Sequence, residues 1–517
     1  MTNQIQDARN IRGRWRDFFI AFPLLLAPML LWSLASPLMS VPDEPSHAIR
    51  AVAVAHGDFT GHPDPETPWQ IAVTVPADVA HTHELTCFAF KPDVTADCQT
   101  PVAGDPEAPT SATTSAGINS PVYYAIVGGP SLFLSGNAAL YGMRFVNAIV
   151  CAALLALTFM SLRQLPHSRW AVLAAAVSVT PMVLFLGGSI NPNGMEIAAT
   201  SALFATLLAT FRTSSGQGVL WERGGIVILS AAVLTNTRSI ALLWVLLAIV
   251  GALLLSRAEI LKPLFRKWTT WVIVVSSALV SLLAVAWYLR PAETTGGGPA
   301  FDGVGTSAGT AFGRMIIETL DYAREWIGLF GWVDRAAPTV TIMIWTAVIF
   351  GIVAAALALA RGRACLAVAF FSACVILVPA FTQAAIVTEM GYIWQGRYTL
   401  ALLVCLLIAA GIALDIRFPL ALSGVDGRRA TAAIAGLLAI GHLAAFVWTL
   451  KRYVVGERAS FLDMVSNPDW QPPLGWILLT LAFALSLGVA SWVCVRAIAE
   501  PASPRASPNL ERHASSQ

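Results

Sequence analysis

Two neighbouring carboxylates, Asp43 and Glu44, are the residues of this chain best suited to do chemistry. His47 follows them at three or four residues and Arg50 lies three residues further on, so all four share a face if they lie on one helix. A carboxylate there can take a proton from an attacking hydroxyl as a general base. With His47 it can instead hold a divalent cation, Mg or Mn, that bridges phosphate groups. A helix cap with an ion pair would explain the same residues without chemistry.

Arginines in unexpected places form a second set of candidates. Arg238 and Arg397 each open an apolar segment on the side of the membrane where the positive-inside rule does not favour cations. Arg144 lies in the first turns of a predicted spanning helix, where a charge is costly and faces a cavity or a partner. Because a guanidinium binds phosphate oxygens through paired hydrogen bonds, Arg238 and Arg397, with Arg50 or Arg144, are candidates for holding a lipid phosphate. An ion pair with an acid of an outer loop is the alternative for each.

Polar and aromatic residues near the predicted outer boundary complete the set of substrate-binding candidates. They are Tyr123, Tyr124, Asn147, Asn191, Trp332, Asp334, Gln395 and Tyr398. Tyrosine and tryptophan are also ordinary anchors at the boundary between water and lipid, so anchoring is the alternative for the aromatic residues.

The elements that must position these residues are membrane helices. Of the 517 residues, 56% are hydrophobic and 12% are charged. Many apolar runs reach the roughly 18–20 residues that span a bilayer, and in lipid such runs are helical. We therefore predict an all-α polytopic membrane protein with about 12 transmembrane helices. The predicted spans are 18–39, 140–162, 169–189, 195–211, 224–236, 239–256, 268–289, 339–360, 364–385, 397–414, 430–450 and 474–496.

The distribution of charge predicts the topology. Lysine and arginine are denser before residue 18 and in alternate loops such as 257–267 and 417–429, which places both termini in the cytoplasm. Segment 224–256 has basic residues at both ends, so it must return to the side it left, either as two short helices or as a re-entrant pair. Basic residues form no patch, which argues against nucleic-acid binding.

The domain organisation follows from these spans. We predict a cytoplasmic N-terminus at 1–17, one integral-membrane domain at 18–496 and a disordered cytoplasmic tail at 497–517. The predicted outer loops are about 40–139, 290–338 and 451–473.

Two of these loops have features of their own. The first contains Cys87 and Cys98, for which an extracytoplasmic disulfide is predicted and two free thiols are the alternative. The second starts with flexible glycines at 296–298 and continues with an amphipathic stretch from Ala311 to Trp332 that fits a helix along the membrane interface.

The chain resembles the bacterial membrane proteins grouped as domain of unknown function 2142. The matching motifs are Pro42-Asp43-Glu44-Pro45-Ser46-His47, Ser120-Pro121-Val122-Tyr123-Tyr124, Arg144 with Asn147, Asn191-Pro192-Asn193, Phe330-Gly331-Trp332-Val333-Asp334 and Gln395-Gly396-Arg397-Tyr398. The family pattern has aspartate where this chain has Asn193, which weakens any catalytic role for that position.

The resemblance implies an architecture similar to the GT-C class of membrane glycosyltransferases. Such enzymes take a sugar from a polyprenyl-phosphate donor at the outer face and carry a catalytic acid in the first outer loop. The implied partners are membrane lipid, that donor, and a glycan or lipid acceptor of the cell envelope, at the bacterial plasma membrane. Asp43 or Glu44 would be the base, and Arg238 and Arg397 would hold the leaving phosphate. A transporter or flippase for lipid-linked glycans and a non-catalytic assembly protein are the alternatives; transporters often contain internal repeats, and none is evident here.

Overall fold

The structure is a computed structural model that describes residues 2–290 and 301–499, with side chains described from residue 13 onward. The predicted flexible glycines at 296–298 and the predicted tail from residue 500 lie outside the described residues. The last described helix runs to Ala499, so 497–499, which were assigned to the tail, are helical.

The described residues form α-helices joined by short turns. The first ten are α1 (Thr2–Ala35), α2 (Glu44–Ala55), α3 (Ala77–Ala80), α4 (Pro121–Gly128), α5 (Gly136–Leu162), α6 (Arg169–Ser178), α7 (Pro181–Gly187), α8 (Pro192–Arg212), α9 (Gln217–Thr235) and α10 (Ala241–Leu254). The others are α11 (Ala258–Leu264), α12 (Trp268–Tyr288), α13 (Ala308–Ile317), α14 (Thr319–Gly328), α15 (Thr339–Leu359), α16 (Gly362–Met390), α17 (Leu400–Arg417), α18 (Gly424–Val455), α19 (Phe461–Ser466) and α20 (Trp476–Ala499).

The predicted fold class is confirmed, with a number of candidate spans close to the predicted one. Within the described residues, ten helices are long and apolar enough to cross a bilayer, or eleven if the bent pair α6–α7 counts as one span. The sequence predicted about 12. The chain is thus a multi-pass, all-α membrane protein.

Two segments account for the difference in number. Helix α10 has 14 residues, a length of about 21 Å, which is short of the roughly 30 Å hydrocarbon core. Helices α6 and α7 meet at 65°, where Pro181 cannot donate a main-chain hydrogen bond and Thr180 caps α7 instead. Helix α9 begins at Gln217, before its predicted start, and is long enough to span. Segment 224–256 therefore belongs to one full-length and one short helix.

Helices α8 and α17 form the centre of the bundle. In each of them, 94% of the residues in the most apolar stretch are buried. Both begin at the end of the bundle where α2 begins, because Asn191 before α8 donates to the carbonyl of Pro42 and Arg397 before α17 pairs with Asp43. The most rigidly packed helices thus deliver candidate residues to one place.

The segment between α2 and α4 forms a small β-sheet over α2. Strands β1 (His62–Pro63), β2 (Ile71–Pro76) and β3 (Pro109–Thr114) form an antiparallel sheet in the order β1-β2-β3. In β2 the buried residues are Ile71, Val73 and Val75, the alternation expected of a strand with one covered face. Thr114 Oγ1 donates to the carbonyl of Ser46 at 2.7 Å, which fixes the sheet to α2.

A disulfide loop caps the end of α18. Cys87 and Cys98 are joined in the structure, with their Cα atoms 6.1 Å apart. Arg452, which is 1% exposed, lies under this loop. It donates hydrogen bonds to the carbonyl oxygens of Phe88 at 2.7 Å, Val94 at 2.8 Å and Lys91 at 3.0 Å. The loop thus wraps a buried cation at the end of a late helix.

The segment between α12 and α15 contains two amphipathic helices where the sequence predicted one continuous stretch. Helix α13 ends before Glu318 and α14 begins after it, and a short hairpin of β4 (Leu329–Phe330) and β5 (Arg335–Ala336) follows. Ile317 and Leu320 are 82% and 67% exposed, and exposed apolar side chains beside charged ones fit the membrane interface.

Candidate functional site

The turn before α2 gives the two acids opposite environments. Asp43 has a φ of 64°, in the left-handed region that few residues other than glycine adopt, and its side chain makes no cap to α2. Its side chain is 49% exposed, whereas that of Glu44 is fully buried. Unfavourable backbone geometry of this kind is common at functional sites. The turn therefore directs one carboxylate outward and the next one into the bundle.

Glu44 is fully engaged by Arg144. Nε and Nη2 of Arg144 each lie 2.7 Å from one of the two Glu44 carboxylate oxygens, and the Ile190 main-chain N–H donates to Oε1 at 3.0 Å. The other N–H groups of Arg144 donate to the carbonyls at the end of α1, those of Ser33, Ser36 and Pro37. All five N–H groups of Arg144 thus have acceptors. Neither Glu44 nor Arg144 is accessible to a substrate, and we assign both to positioning.

Arg397 pairs with Asp43 and also has N–H groups without an acceptor among the described residues. Its Nη2 lies 2.8 Å from Oδ2 of Asp43, and the arginine side chain is only 3% exposed. Within the described part of the chain, Nε and Nη1 of Arg397 are buried and have no hydrogen-bond partner. A buried donor without an acceptor is costly, so this guanidinium is suited to an anionic ligand.

Arg238 is connected to the cluster by the Tyr398 ring and by the side-chain amides of Asn193 and Asn191. Its guanidinium carbon lies 4.2 Å from the centre of the Tyr398 ring, and Nη1 donates to Oδ1 of Asn193 at 2.6 Å. Asn193 Nδ2 donates to Asn191, which in turn donates to the carbonyl of Pro42. An ionised aspartate at 193 could not donate to Asn191. The asparagine thus links Arg238 to the turn that carries Asp43.

His47 and Tyr124 lie beneath these charges. Their Nδ1 and hydroxyl oxygen are 2.9 Å apart. Burial lowers the pKa of His47 to about 4, opposed by the nearby Asp43 and reinforced by Arg397 and Arg238, so the imidazole is neutral at pH 7. Asp43 and Arg238 lie near both side chains, so His47 and Tyr124 belong to the same charged cluster.

Arg50 also lies beside this cluster. Its guanidinium carbon is 5.9 Å from the centre of the Tyr124 ring, and Nη2 donates to the carbonyl of Phe59 at 2.6 Å. Among the described residues no partner is found for its buried Nε and Nη1. Arg50 is therefore a second cation with buried, unused donors.

The remaining candidates have different neighbours. The Tyr123 hydroxyl donates to Asn147, which donates to the carbonyl of Gly187, so both pack between helices. Asp334 accepts from the main-chain N–H groups of Trp332 and of Phe90, on the side of the disulfide loop. The Gln395 side-chain oxygen is buried, and no hydrogen-bond partner for it occurs among the described residues.

Two acids near the cluster were not among the sequence candidates. Glu325 on α14 accepts the main-chain N–H of Gly396, and burial raises its pKa to about 7. The sequence did not single out Glu325, because a charged residue in an amphipathic helix is usually exposed to solvent. Glu196 on α8 is buried and accepts from Trp244 Nε1 at 3.0 Å. An acid inside an apolar helix was the available signal there.

The described residues contain no group of three or more histidine, cysteine or acidic side chains close enough to hold a metal ion. The one exposed carboxylate of the acid pair is that of Asp43. A divalent cation here would therefore be held by that carboxylate together with phosphate oxygens.

The fold and these contacts define a multi-pass membrane protein with a charged cluster at one end of its helix bundle. The sequence pattern of the family described as "Predicted membrane protein (DUF2142)" matches residues 26–406. This is more than half of the chain, so the protein belongs to the DUF2142 family, as its motifs predicted.

Two solved structures are also similar to this chain. They are the crystal structures of ArnT from Cupriavidus metallidurans bound to undecaprenyl phosphate and in the apo state, each with a TM-score of 0.43 and 13% sequence identity. The first match covers 93% of this chain and 77% of that one, and the second covers 94% and 78%. No curated protein matches the chain.

Breaking the Glu44–Arg144 pair will destabilise the protein. We expect Glu44→Gln to lower the free energy of unfolding in detergent by about 3–5 kcal/mol, because it leaves a buried guanidinium without its counter-charge. The matched change Asp43→Asn should cost less, because that carboxylate is half-exposed although its partner Arg397 is buried. Equal losses for the two variants would contradict the assignment of Glu44 to positioning.

Glu325 will make stability depend on pH. Its folded pKa of about 7 lies above the usual value of 4.5, so the folded state holds more protons than the unfolded state between these values. The contribution of Glu325 to stability is therefore greatest below pH 4.5 and is lost as the pH rises through 7, by up to about 3 kcal/mol. Glu325→Gln retains an acceptor for Gly396 and should remove this slope, as measured by thermal unfolding at several pH values. Parallel curves for the two proteins would refute the role of this residue.

Proposed function

We propose that this protein is an inverting glycosyltransferase of the bacterial plasma membrane with both termini in the cytoplasm. It would move a sugar from a polyprenyl-phosphate-linked donor to a glycan or lipid acceptor at the outer face, in cell-envelope glycan synthesis. One observation carries the proposal. An exposed carboxylate, Asp43, touches a buried guanidinium, Arg397, whose Nε and Nη1 have no partner among the described residues.

The chemistry follows from that contact. An acceptor hydroxyl attacks the anomeric carbon of the donor while Asp43 takes its proton. A new bond forms between the acceptor oxygen and the sugar, and the bond between the sugar and the phosphate oxygen breaks. The polyprenyl phosphate leaves with the electron pair. Because phosphate is weakly basic, it needs charge stabilisation rather than a proton from an acid.

Arg397 can serve the base and the leaving group together. Nη2 remains on Asp43, while Nε and Nη1, on different edges of the guanidinium, can each donate to a phosphate oxygen. The carboxylate and the phosphate then lie on two sides of one planar group. This would set the distance between proton acceptor and leaving group without any large movement.

The surroundings add positive potential without adding another exposed base. Arg238 is held by Tyr398 and Asn193, and Arg50 has unused donors of its own. Helices α2, α8 and α17 all begin at this cluster, and the positive ends of their dipoles favour an anion. His47 is neutral and hydrogen-bonded to Tyr124, which suits it to orientation rather than to charge.

Asp43 rather than Glu44 is the proposed base. Glu44 shares the required chemistry, but both of its oxygens already accept from Arg144 and it is buried. If Glu44 acted as the base, its protonation would break a buried ion pair that stabilises the fold. Asp43 has one contact to a cation and an open side.

Removing the base will stop transfer without unfolding the protein. In a deletion strain complemented with Asp43→Asn, we expect transfer to fall about 100-fold or more, the usual contribution of a general base. The readout is mass spectrometry of lipid-linked and envelope glycans, in which donor accumulates or the glycan is truncated.

The control is Asp97→Asn, at an exposed acid of the same outer loop, which should behave as the wild type. Full transfer by Asp43→Asn would remove Asp43 as the base. Normal glycans in the deletion strain itself would contradict a transferase and favour a transporter or an assembly protein.

Arg397 will be needed for its shape as well as its charge. We expect Arg397→Gln to lower the transfer rate about 100-fold, in the range found when one donor to a developing oxyanion is removed. Arg397→Lys keeps the charge but cannot donate to Asp43 and to a phosphate from separate, fixed nitrogen atoms, so it should recover only part of the rate. Arg458→Gln, at a 90% exposed outer cation, is the matched control. Wild-type rates in the Gln variant, measured with purified protein and lipid-linked donor, would reject this role.

A further inference from the structure

An apolar cavity lies at the opposite end of the bundle from Asp43. Its volume is 480 Å³, and Arg16 near the start of α1 stands at its rim. From Arg16 to Ala35 the helix rises about 28 Å, roughly the thickness of the hydrocarbon core. Helices α1, α5, α6, α18 and α20 provide most of its wall. The lining includes Leu24, Leu25, Val172, Leu438, Ala439 and Leu487.

The rim of this cavity carries an excess of positive charge. The charged side chains that line it are Arg16, Arg163, Arg496 and the single acid Asp17. Arg163 is fixed, because its Nε lies 3.4 Å from Asp17 and its Nη1 donates to the carbonyl of Ala497 at 2.7 Å. Arg16 and Arg496 are exposed, which leaves two cations facing outward beside an apolar hollow.

We propose that this cavity binds an anionic phospholipid, with an acyl chain inside it and the phosphate against Arg16 and Arg496. Water is a poor occupant, because a hollow lined by leucine, valine and alanine offers it few hydrogen-bond partners. An acyl chain makes full van der Waals contact there. The cations at the rim then select the headgroup, since each basic residue at an anionic lipid surface adds to the binding.

The site would join separate parts of the bundle. Its walls come from the first helix and from the last two spans, α18 and α20, which the lipid would bridge. The predicted topology makes this the inner leaflet, where basic residues are most frequent. The proposal itself requires only the leaflet at the N-terminal end of α1, and it stands apart from the proposed transferase activity.

Native mass spectrometry of the purified full chain in mild detergent tests this proposal. The probes are phosphatidylglycerol and phosphatidylcholine with the same acyl chains. We expect the wild type to bind phosphatidylglycerol more tightly. The double variant Arg16→Ala/Arg496→Ala should weaken that binding about 20-fold and remove the preference for it. Ala439→Phe, which fills the cavity, should weaken the binding of both lipids.

Arg266→Ala is the control, because Arg266 is an exposed cation in the turn before α12 and does not line the cavity. Equal affinity of the wild type for the two lipids would overturn the proposal. So would unchanged phosphatidylglycerol binding in the double variant, or an equal loss in Arg266→Ala. The double variant decides the matter even if Ala439→Phe fails to fold, because both replaced arginines are exposed.

Discussion

The buried contact between Glu44 and Arg144 is the constraint on which the pocket depends. Within one set of hydrogen bonds it joins the end of α1, the start of α2, the outer end of α5 and the turn before α8. A charge so deeply buried is costly unless its donors and acceptors are satisfied, and here every donor of Arg144 has an acceptor. The turn that presents Asp43 is therefore held from beneath by a rigid, fully paired support.

Arg397 is the opposite case. It is almost as buried as Arg144, yet two of its nitrogen atoms have no acceptor among the described residues. The contrast between the two arginines separates structure from function more clearly than burial alone. The unpartnered donors of Arg397 are the feature on which the proposed binding of a phosphate rests.

The sequence predicted the membrane class, because apolar runs are local signals, and it singled out Asp43 and Arg397, which the structure places in contact. It could not separate Asp43 from Glu44, which are adjacent and chemically alike. Their difference comes from Arg144, which lies 100 residues beyond Glu44 in the chain. Glu325 was hidden for a related reason, since only the fold brings α14 against the turn at Gly396.

The spans show the same limit. Hydropathy located every apolar segment, but it could not show that α10 is too short to cross or that the chain bends at Pro181. Helix ends depend on capping and on neighbouring elements, which a window of hydropathy does not contain. Trp332 and Asp334 were grouped with the pocket by motif, and their described contacts are with the disulfide loop and the end of α1.

The carbonyl cradle around Arg452 has a consequence for biosynthesis. The disulfide loop leaves the ribosome early, but the cation that it encloses belongs to the penultimate spanning helix. The loop therefore cannot reach its final packing until most of the chain has been translated and inserted. Until then, its carbonyl groups must be satisfied by solvent, and the outer surface around the pocket matures only as the last helices enter the bilayer.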